Sequence, residues 1–117
     1  MNFLKALIYY FFKPKIHYCI VRSDLPSRTI AAQLIHAAGE SRGMFQFLPE
    51  HTIAVCLAVP TEKDLLEWEQ KLLKAKIRYK AIREPDSPYY NQLMVIGIRP
   101  ASPKLLKPFF NSLKTYR

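Results

Sequence analysis

The stretch SRTIAAQLIHAAGESR at residues 27–42, which follows the apolar run IHYCIV at residues 16–21, decides the fold predicted for this chain. The apolar run is rich in β-branched and aromatic residues and predicts a strand. At about 100° per residue, one side of the following helix carries four polar side chains: Thr29, Gln33, His36 and Glu40. The opposite side carries Ala31, Leu34, Ile35 and Ala38. We therefore predict an amphipathic helix that docks on a sheet through its apolar side and keeps a polar stripe flanked by Ala32 and Ala37.

Strands and helices continue to alternate along the rest of the chain. The predicted elements are a strand over 51–59, a helix capped by Thr61, strands over 77–83 and 92–98, and a helix from Ser102 and Pro103 to about residue 115. The run at 51–59 is almost continuously apolar, which predicts a strand covered on both faces. The apolar stripe of the middle helix is formed by Leu65, Trp68 and Leu72, widened by Leu66 and Leu73.

The connection between the last two strands limits the topology. Residues 84–91 (EPDSPYYN) are too few for a parallel crossover helix, so these strands are antiparallel or not adjacent, and the sheet is mixed. We therefore predict that residues 15–117 form one three-layer α/β/α domain with a four-stranded mixed sheet.

Residues 1–14 form a separate apolar extension. From residue 3 to residue 12 the only charged side chain is Lys5. A bilayer-spanning helix takes about 20 residues, so this segment is too short to cross a membrane. We predict a helical extension that packs on its own domain or on a second copy in a homodimer, with contact to a membrane surface as the alternative.

The charge distribution points to an anionic partner. The formal net charge is +9, from 18 basic and 9 acidic residues. Residues 71–83 contain six basic side chains and no acid, and residues 99–117 contain five and no acid. Such segregation predicts a basic face for the phosphates of a nucleic acid or for an anionic membrane surface.

The two cysteines, Cys19 and Cys56, each lie inside an apolar run. They are interpreted as small buried side chains on strands, not as a disulfide framework or a metal site. The sequence has no C-x-x-C or H-E-x-x-H motif. We expect no metal or other cofactor and a reducing, cytoplasmic location.

Five segments, taken in order, carry a resemblance to a known family. They are Arg22-Ser23-Asp24-Leu25, residues 30–38 (IAAQLIHAA), Val59-Pro60-Thr61-Glu62, Ile82-Arg83-Glu84 and residues 95–100 (VIGIRP). They resemble the R-x-D-L, A-A-Q-x-x-H-A, V-P-x-E, I-R-D and V-L-x-I-G-P motifs of the type II peptidyl-tRNA hydrolases. The resemblance covers about residues 16–115 and is nearest to the family's divergent hydrolase domain-containing branch. It implies hydrolysis of the ester between a peptide and the 3′ ribose of tRNA.

The chain departs from the family pattern in two loops. Residues 26–29 (PSRT) lack the family's lysine and offer Arg28 as their cation, and residues 84–88 (EPDSP) replace the segment that follows I-R-D. Either Glu84 or Asp86 therefore takes the place of the family's aspartate. The resemblance implies as catalytic residues Arg28, His36, Glu84 and Asp86. It implies as substrate-binding residues Thr29, Gln33, Lys80 and Arg83.

Ester hydrolysis defines what these residues have to supply. The reaction needs a positioned water, a carboxylate that orients or deprotonates it, and a donor for the oxyanion. Arg28 is too basic to donate a proton and is expected to stabilise an anion. Tyr89 and Tyr90 either stack on terminal bases or close the loop over the core.

Three functions are compatible with the sequence. They are a peptidyl-tRNA esterase, a catalytically weak or inactive module that binds RNA or protein on the same fold, and a membrane-peripheral adaptor that uses the N-terminal segment. The first two differ in geometry, because an esterase requires Arg28, Gln33 and His36 to converge on Glu84 or Asp86.

Overall fold

The computed structural model describes residues 2–4, 14–43 and 52–117. Its elements are β1 (Lys15–Arg22), α1 (Ser27–Ser41), β2 (Thr52–Val59), α2 (Glu62–Ala75), β3 (Tyr79–Glu84), β4 (Gln92–Ile98), α3 (Pro103–Phe110) and β5 (Lys114–Thr115). Most of the apolar extension predicted for residues 1–14 lies outside the described residues. The helix predicted there, its boundary and its role in a homodimer or at a membrane stay predictions.

The sheet is mixed, as predicted, but it has five strands in the order β3-β4-β1-β2-β5. β1 and β2 run parallel, with Cys19 opposite Cys56. β4 is antiparallel to both β1 and β3, so the short loop at 84–91 joins adjacent antiparallel strands. The fifth strand, β5, is antiparallel to β2.

The fifth strand corrects the prediction of four strands and of a last helix reaching about residue 115. Ser102 caps α3 by accepting a hydrogen bond from the Lys104 amide, as expected from the Ser-Pro start, but the helix ends at Phe110. The chain then pairs with β2, and the Tyr116 amide donates to the Cys56 carbonyl at 2.8 Å. Backbone groups at a sheet edge form hydrogen bonds with any extended chain that reaches them. Pairing with β2 therefore replaces the last turn of the predicted helix.

Side chains of β1 alternate between two apolar layers. Ile16, Tyr18 and Ile20 face the side of the sheet covered by α2 and α3, where Leu65, Trp68, Leu72, Leu106 and Phe110 complete the core. Cys19 and Val21 face the other side, which α1 covers. The three-layer α/β/α arrangement is therefore confirmed, and both cysteines lie on strands as free thiols, with Cys19 buried and Cys56 half-buried.

The docking face predicted for α1 is only partly correct, because Leu34 and Ala38 of that face do pack against the core. The buried residues of this helix are Ile30, Gln33, Ala37 and Ser41, whereas Ala31 is exposed and Ile35 is 75% exposed. The helix approaches β4 closely at Gly97, where an added Cβ would lie 2.5 Å from the Ala37 carbonyl oxygen and would also collide with the Ser41 side chain. Small residues face this glycine because larger ones do not fit. Gln33, which shares their side of the helix, is buried with them.

Two smaller expectations about burial also need correction. Thr61 caps α2 as predicted, and the stripe formed by Leu65, Trp68 and Leu72 is buried. Leu66 and Leu73, predicted to widen that stripe, are 39% and 55% exposed, because α2 contacts the sheet along a narrower strip than expected. The first half of β2 is not covered on both faces either, since Ile53 is 45% exposed.

Candidate active site

Three strands end at the same edge of the sheet. β3 and β1 are both antiparallel to β4, so β3 runs in the same direction as β1 and β2. Their last residues, Arg22, Val59 and Glu84, lie at what we call the carboxyl edge. Helices α1 and α2 start from the same edge. Open α/β sheets bind ligands outside the carboxyl ends of their strands, so this edge is the expected place for a site.

Gln33 and Glu84 meet at the carboxyl edge. Gln33 Nε2 on α1 donates a hydrogen bond to Glu84 Oε2 at 3.3 Å. The Gln33 residue is only 5% exposed, and within the described part of the chain its Oε1 has no hydrogen-bond partner. An unsatisfied buried acceptor costs about 1–3 kcal/mol. A buried amide oxygen without a partner is therefore a group poised to accept a hydrogen bond from a ligand or a water.

Glu84 is half-buried and has contacts on both carboxylate oxygens. Besides Gln33, the Asp86 amide donates to Glu84 Oε1 at 3.3 Å. The Glu84 carbonyl accepts from the Asn91 amide at 2.6 Å, which closes the loop that starts at this residue. The side chain is thus fixed at the end of β3 while its carboxylate is still accessible to solvent.

Arg22, a buried arginine at the end of β1, stabilises the carboxyl edge through hydrogen bonds. Arg22 is 7% exposed and makes a bidentate contact with Asp24, with Nε–Oδ1 and Nη2–Oδ2 distances of 2.8 and 2.9 Å. Its Nη1 donates to Gln92 Oε1 at 2.8 Å and to the Leu93 carbonyl at 3.2 Å. Hydrogen bonding to Arg22 lowers the pKa of Asp24, and the same contact raises the pKa of Arg22. This network ties the end of β1 to the start of β4.

Glu62 joins the same network from the first turn of α2. Its Oε2 accepts a hydrogen bond from the Leu93 amide at 2.7 Å, and its charge helps to raise the pKa of Arg22. Arg22, Asp24 and Glu62 belong to the sequence motifs that carry the family resemblance, but none of them was predicted as a site residue. Their presence in R-x-D-L and V-P-x-E was the available signal.

The predicted residues on α1 do not all reach Glu84. Arg28 and His36 are exposed, and Thr29 is half-buried. Across the described ranges, neither Arg28 nor His36 has a side-chain hydrogen bond or ion pair. Of the four residues of the predicted polar stripe, Gln33 alone is in hydrogen-bond contact with a predicted catalytic carboxylate.

The loop after β3 places Asp86 differently from Glu84. Asp86 is exposed, and its carbonyl accepts from the amides of Tyr89 and Tyr90 at 2.9 and 3.1 Å. Tyr89 packs on the apolar layer beneath α1, so it closes the loop over the core. Tyr90 is 70% exposed and has a left-handed φ of 44°, which is rare for an aromatic residue. Of the two tyrosines, Tyr90 is the one free to stack on a ligand.

The two basic residues predicted on β3 lie away from the Gln33–Glu84 pair. The Arg83 side chain is on the opposite face of the sheet, where Nη2 contacts Glu69 Oε1 of α2 at 2.8 Å. Lys80 lines a cavity with Glu40, Ser41 and Arg99 near the other end of β3. The structure therefore does not bring either cation next to Glu84.

The described residues contain no cluster of three or more His, Cys, Asp or Glu side chains positioned to hold a metal ion. None of the helices in the described ranges is both long and apolar enough to cross a membrane.

This arrangement can position a nucleophile. A half-buried carboxylate with its orientation fixed by an amide can accept a hydrogen bond from a water and take its proton during attack. The unpartnered Gln33 Oε1 provides a second acceptor close by. The exposed guanidinium of Arg28, in the first turn of α1, is available to an anionic group of a ligand.

A protein-family model matches most of the chain. The family model described as peptidyl-tRNA hydrolase PTH2 matches residues 16–116. A search of curated proteins found no match. The matched range includes every residue of the carboxyl-edge site described above.

Proposed function

Since this chain belongs to the peptidyl-tRNA hydrolase PTH2 family, we propose that it hydrolyses the ester that joins a peptide to the 3′ ribose of tRNA, at the carboxyl edge beside Glu84. The observation that carries this proposal is the contact between Gln33 Nε2 and Glu84 Oε2 at the edge where such sheets bind ligands. The basic composition, with a formal net charge of +9, supports a polyanionic substrate.

In the proposed reaction, Glu84 orients a water molecule against the ester carbonyl. The water oxygen forms a bond to the carbonyl carbon as its proton moves toward the carboxylate. The bond between that carbon and the ribose oxygen then breaks, and the ribose oxygen takes up the proton that Glu84 accepted from the water. Glu84 is favoured over Asp86 for this role because its carboxylate contacts Gln33, whereas Asp86 is exposed.

Gln33 is proposed to act on both the carboxylate and the substrate. Its amide nitrogen holds Glu84, and its unpartnered oxygen accepts a hydrogen bond from the substrate or the water. Arg28 is proposed to stabilise the oxyanion or a phosphate, because arginine stays protonated and binds anions with a planar fork of donors. Thr29 and His36 are proposed as further substrate contacts on the same helix.

Lys80 is proposed to contact the tRNA away from the ester, whereas Arg83 would first have to release Glu69. A cytoplasmic location is proposed because a tRNA substrate and two free thiols suit a reducing compartment.

A binding module without turnover is the alternative on the same fold. The exposed positions of Arg28 and His36, without contact to Glu84, favour this alternative. In it, the carboxyl edge retains tRNA but positions no water.

The test is turnover of a peptidyl-tRNA analogue by the purified 117-residue chain, measured as release of free tRNA. Glu84→Gln keeps the shape of the side chain but removes its charge, and Glu67→Gln is a matched control at an exposed carboxylate on α2. Turnover that is lost in Glu84→Gln and kept in Glu67→Gln supports the esterase. If the unmodified chain binds tRNA without releasing any product, the binding module is correct instead.

A further inference from the structure

A second group of cations lies at the other end of the sheet from Glu84. We call Lys76, Arg78, Lys80 and Arg99 the distal basic cluster. The first three occupy alternate positions leading into β3, and the residues between them, Ile77 and Tyr79, pack on the core. This alternation directs Arg78 and Lys80 away from the α2 side of the sheet, whereas Lys76 ends α2 in a left-handed conformation and lines a cavity with Leu105 and Leu106 of α3.

Arg78 and Arg99 lie side by side, just before the start of β3 and just after the end of β4. The Arg99 amide donates to the Arg78 carbonyl at 3.0 Å. Both residues line two neighbouring surface cavities of about 360 and 410 Å³. Lys80 contributes to the first cavity and Lys76 to the second. The cations therefore surround two concave sites instead of projecting separately into solvent.

The Arg99 guanidinium is positioned by a glycine at the end of α1. Gly43 has a φ of +83°, a left-handed conformation that favours glycine. A Cβ added there would lie 3.1 Å from Arg99 Nε, which is closer than ordinary contact. The backbone at Gly43 thus packs directly against the Arg99 side chain and limits where it can move.

The charges of this cluster are not neutralised internally. Within the described residues the ion pairs are Arg22–Asp24 and Arg83–Glu69, and no member of the cluster has such a partner. Among the described residues that line the two cavities, Glu40 is the one carboxylate. Neighbouring like charges repel one another, and a bound anion removes that repulsion.

We propose that the distal basic cluster binds backbone phosphates of the tRNA, at a distance from the ester that is hydrolysed. The identity of the partner as tRNA rests on the proposed function. Arginine forks bind phosphate oxygens through two parallel hydrogen bonds, and two arginines line each cavity.

The spacing along β3 supports a continuous nucleic-acid track. Lys80 and Arg78 are four and six residues from Glu84, which is about 13 and 20 Å at roughly 3.3 Å per strand residue. These distances would place the cluster beside backbone phosphates several nucleotides from the reacting 3′ end and not beside the ester itself.

The test is binding of deacylated tRNA, which has no ester to hydrolyse, by fluorescence anisotropy over a series of NaCl concentrations. The cluster variant combines Arg78→Gln, Lys80→Gln and Arg99→Gln. The charge-matched control tests the rest of the two basic sequence ranges: it combines Lys71→Gln, Lys74→Gln and Lys107→Gln, exposed cations that lie on α2 and α3 and outside the distal basic cluster. Both variants lower the net charge by three, so a difference between them reports position and not total charge.

We expect the cluster variant to lower the slope of log Kd against log [NaCl] by about two to three. Each lost phosphate contact removes about 0.9 from this slope. The control should change the slope by less than about 0.5, which is below the effect of one contact. Equal changes in both variants would overturn the proposal. Circular dichroism checks that each variant is folded.

Glu40→Gln provides a second measurement that does not depend on the triple variant. Removing this carboxylate from the cavity lining should tighten tRNA binding several-fold, and unchanged or weaker binding contradicts the proposal that the distal basic cluster binds tRNA.

A further test uses vesicles that contain phosphatidylserine. Loss of vesicle binding with tRNA binding intact in the cluster variant identifies a membrane partner and overturns the RNA proposal.

These experiments distinguish failure of the proposal for the distal basic cluster from failure of the proposed esterase function. If the chain hydrolyses the peptidyl-tRNA analogue but the cluster variant keeps the full salt slope, the cluster alone is rejected. If the salt slope depends on the cluster but the unmodified chain shows no turnover, the esterase alone is rejected.

Discussion

Gln33 Nε2 on α1 donates to Glu84 Oε2 on β3 at 3.3 Å, which joins two side chains that are 51 positions apart in the sequence. The helix and the strand that carry them both meet the carboxyl edge of the sheet. The hydrogen bond holds one oxygen of the Glu84 carboxylate. The other polar atom of the Gln33 side-chain amide, Oε1, is buried without a hydrogen-bond partner among the described residues.

Glu84→Gln should lower kcat/KM for peptidyl-tRNA hydrolysis by about 100-fold or more, because a positioned base contributes roughly 10²–10⁴ to such a rate. Asp86→Asn should cost less than about ten-fold, since Asp86 is exposed and only its backbone amide contacts Glu84. Initial rates of tRNA release from the two variants make the comparison. A larger loss in Asp86→Asn would transfer the carboxylate role to that residue.

Gln33→Met should separate stability from activity. The methionine side chain is of similar length and removes a buried acceptor that has no partner in the described part of the chain, so the free energy of unfolding should be unchanged or higher by about 1 kcal/mol. Activity should fall because Glu84 loses the donor that orients it. Urea unfolding and tRNA release, measured on the same preparation, test both halves. A strongly destabilised variant would mean that Gln33 is mainly a structural residue.

Gly97→Ala should destabilise the fold by about 1–3 kcal/mol, the usual cost of overpacking a core. The new methyl group would meet the Ser41 side chain and would lie 2.5 Å from the Ala37 carbonyl oxygen. Combining it with Ser41→Gly removes the side-chain collision but not the backbone one, so only part of the lost stability should return. Chemical denaturation of the two variants provides the measurement, and full stability of Gly97→Ala would show that α1 does not approach β4 this closely.

His17 should make stability depend on pH below about 6.5. Ser41 Oγ donates its proton to the Ala37 carbonyl at 2.6 Å. His17 Nε2 lies 2.7 Å from Ser41 Oγ and is therefore the donor in the contact between His17 and Ser41. Burial lowers the pKa of His17 from its ordinary value of 6.5. Below pH 6.5 the unfolded chain therefore binds a proton more readily than the folded one, and stability falls as the pH drops toward the folded pKa.

His17→Gln should remove this loss of stability as the pH falls below about 6.5. Asp24 contributes in a lower window, because Arg22 lowers its pKa below the ordinary value of 3.8 and its stabilisation is lost only as the pH falls further. Urea unfolding of both proteins over the pH range is the measurement. Parallel pH profiles for the two proteins would show that another group causes the acid loss.

Much of the fold was predictable from local patterns. Thr61 and Ser102 mark the starts of α2 and α3, and the short 84–91 loop indicates antiparallel neighbours, because caps and loop lengths depend on a few consecutive residues. The ordered motifs likewise pointed to the family that the match over residues 16–116 shows.

Local patterns were therefore enough to predict the order of the elements from β1 to α3, the three layers and the family, and they named Gln33 and Glu84 among the candidate site residues. Only the tertiary structure shows that α1 turns Ala37 and Ser41 toward Gly97, that the last residues pair with β2, and that Arg22 and Glu62 form hydrogen bonds with the start of β4. Helical periodicity shows which residues share a side. Which side meets the sheet depends on the shape of the partner surface, and that shape exists only after distant segments have packed together.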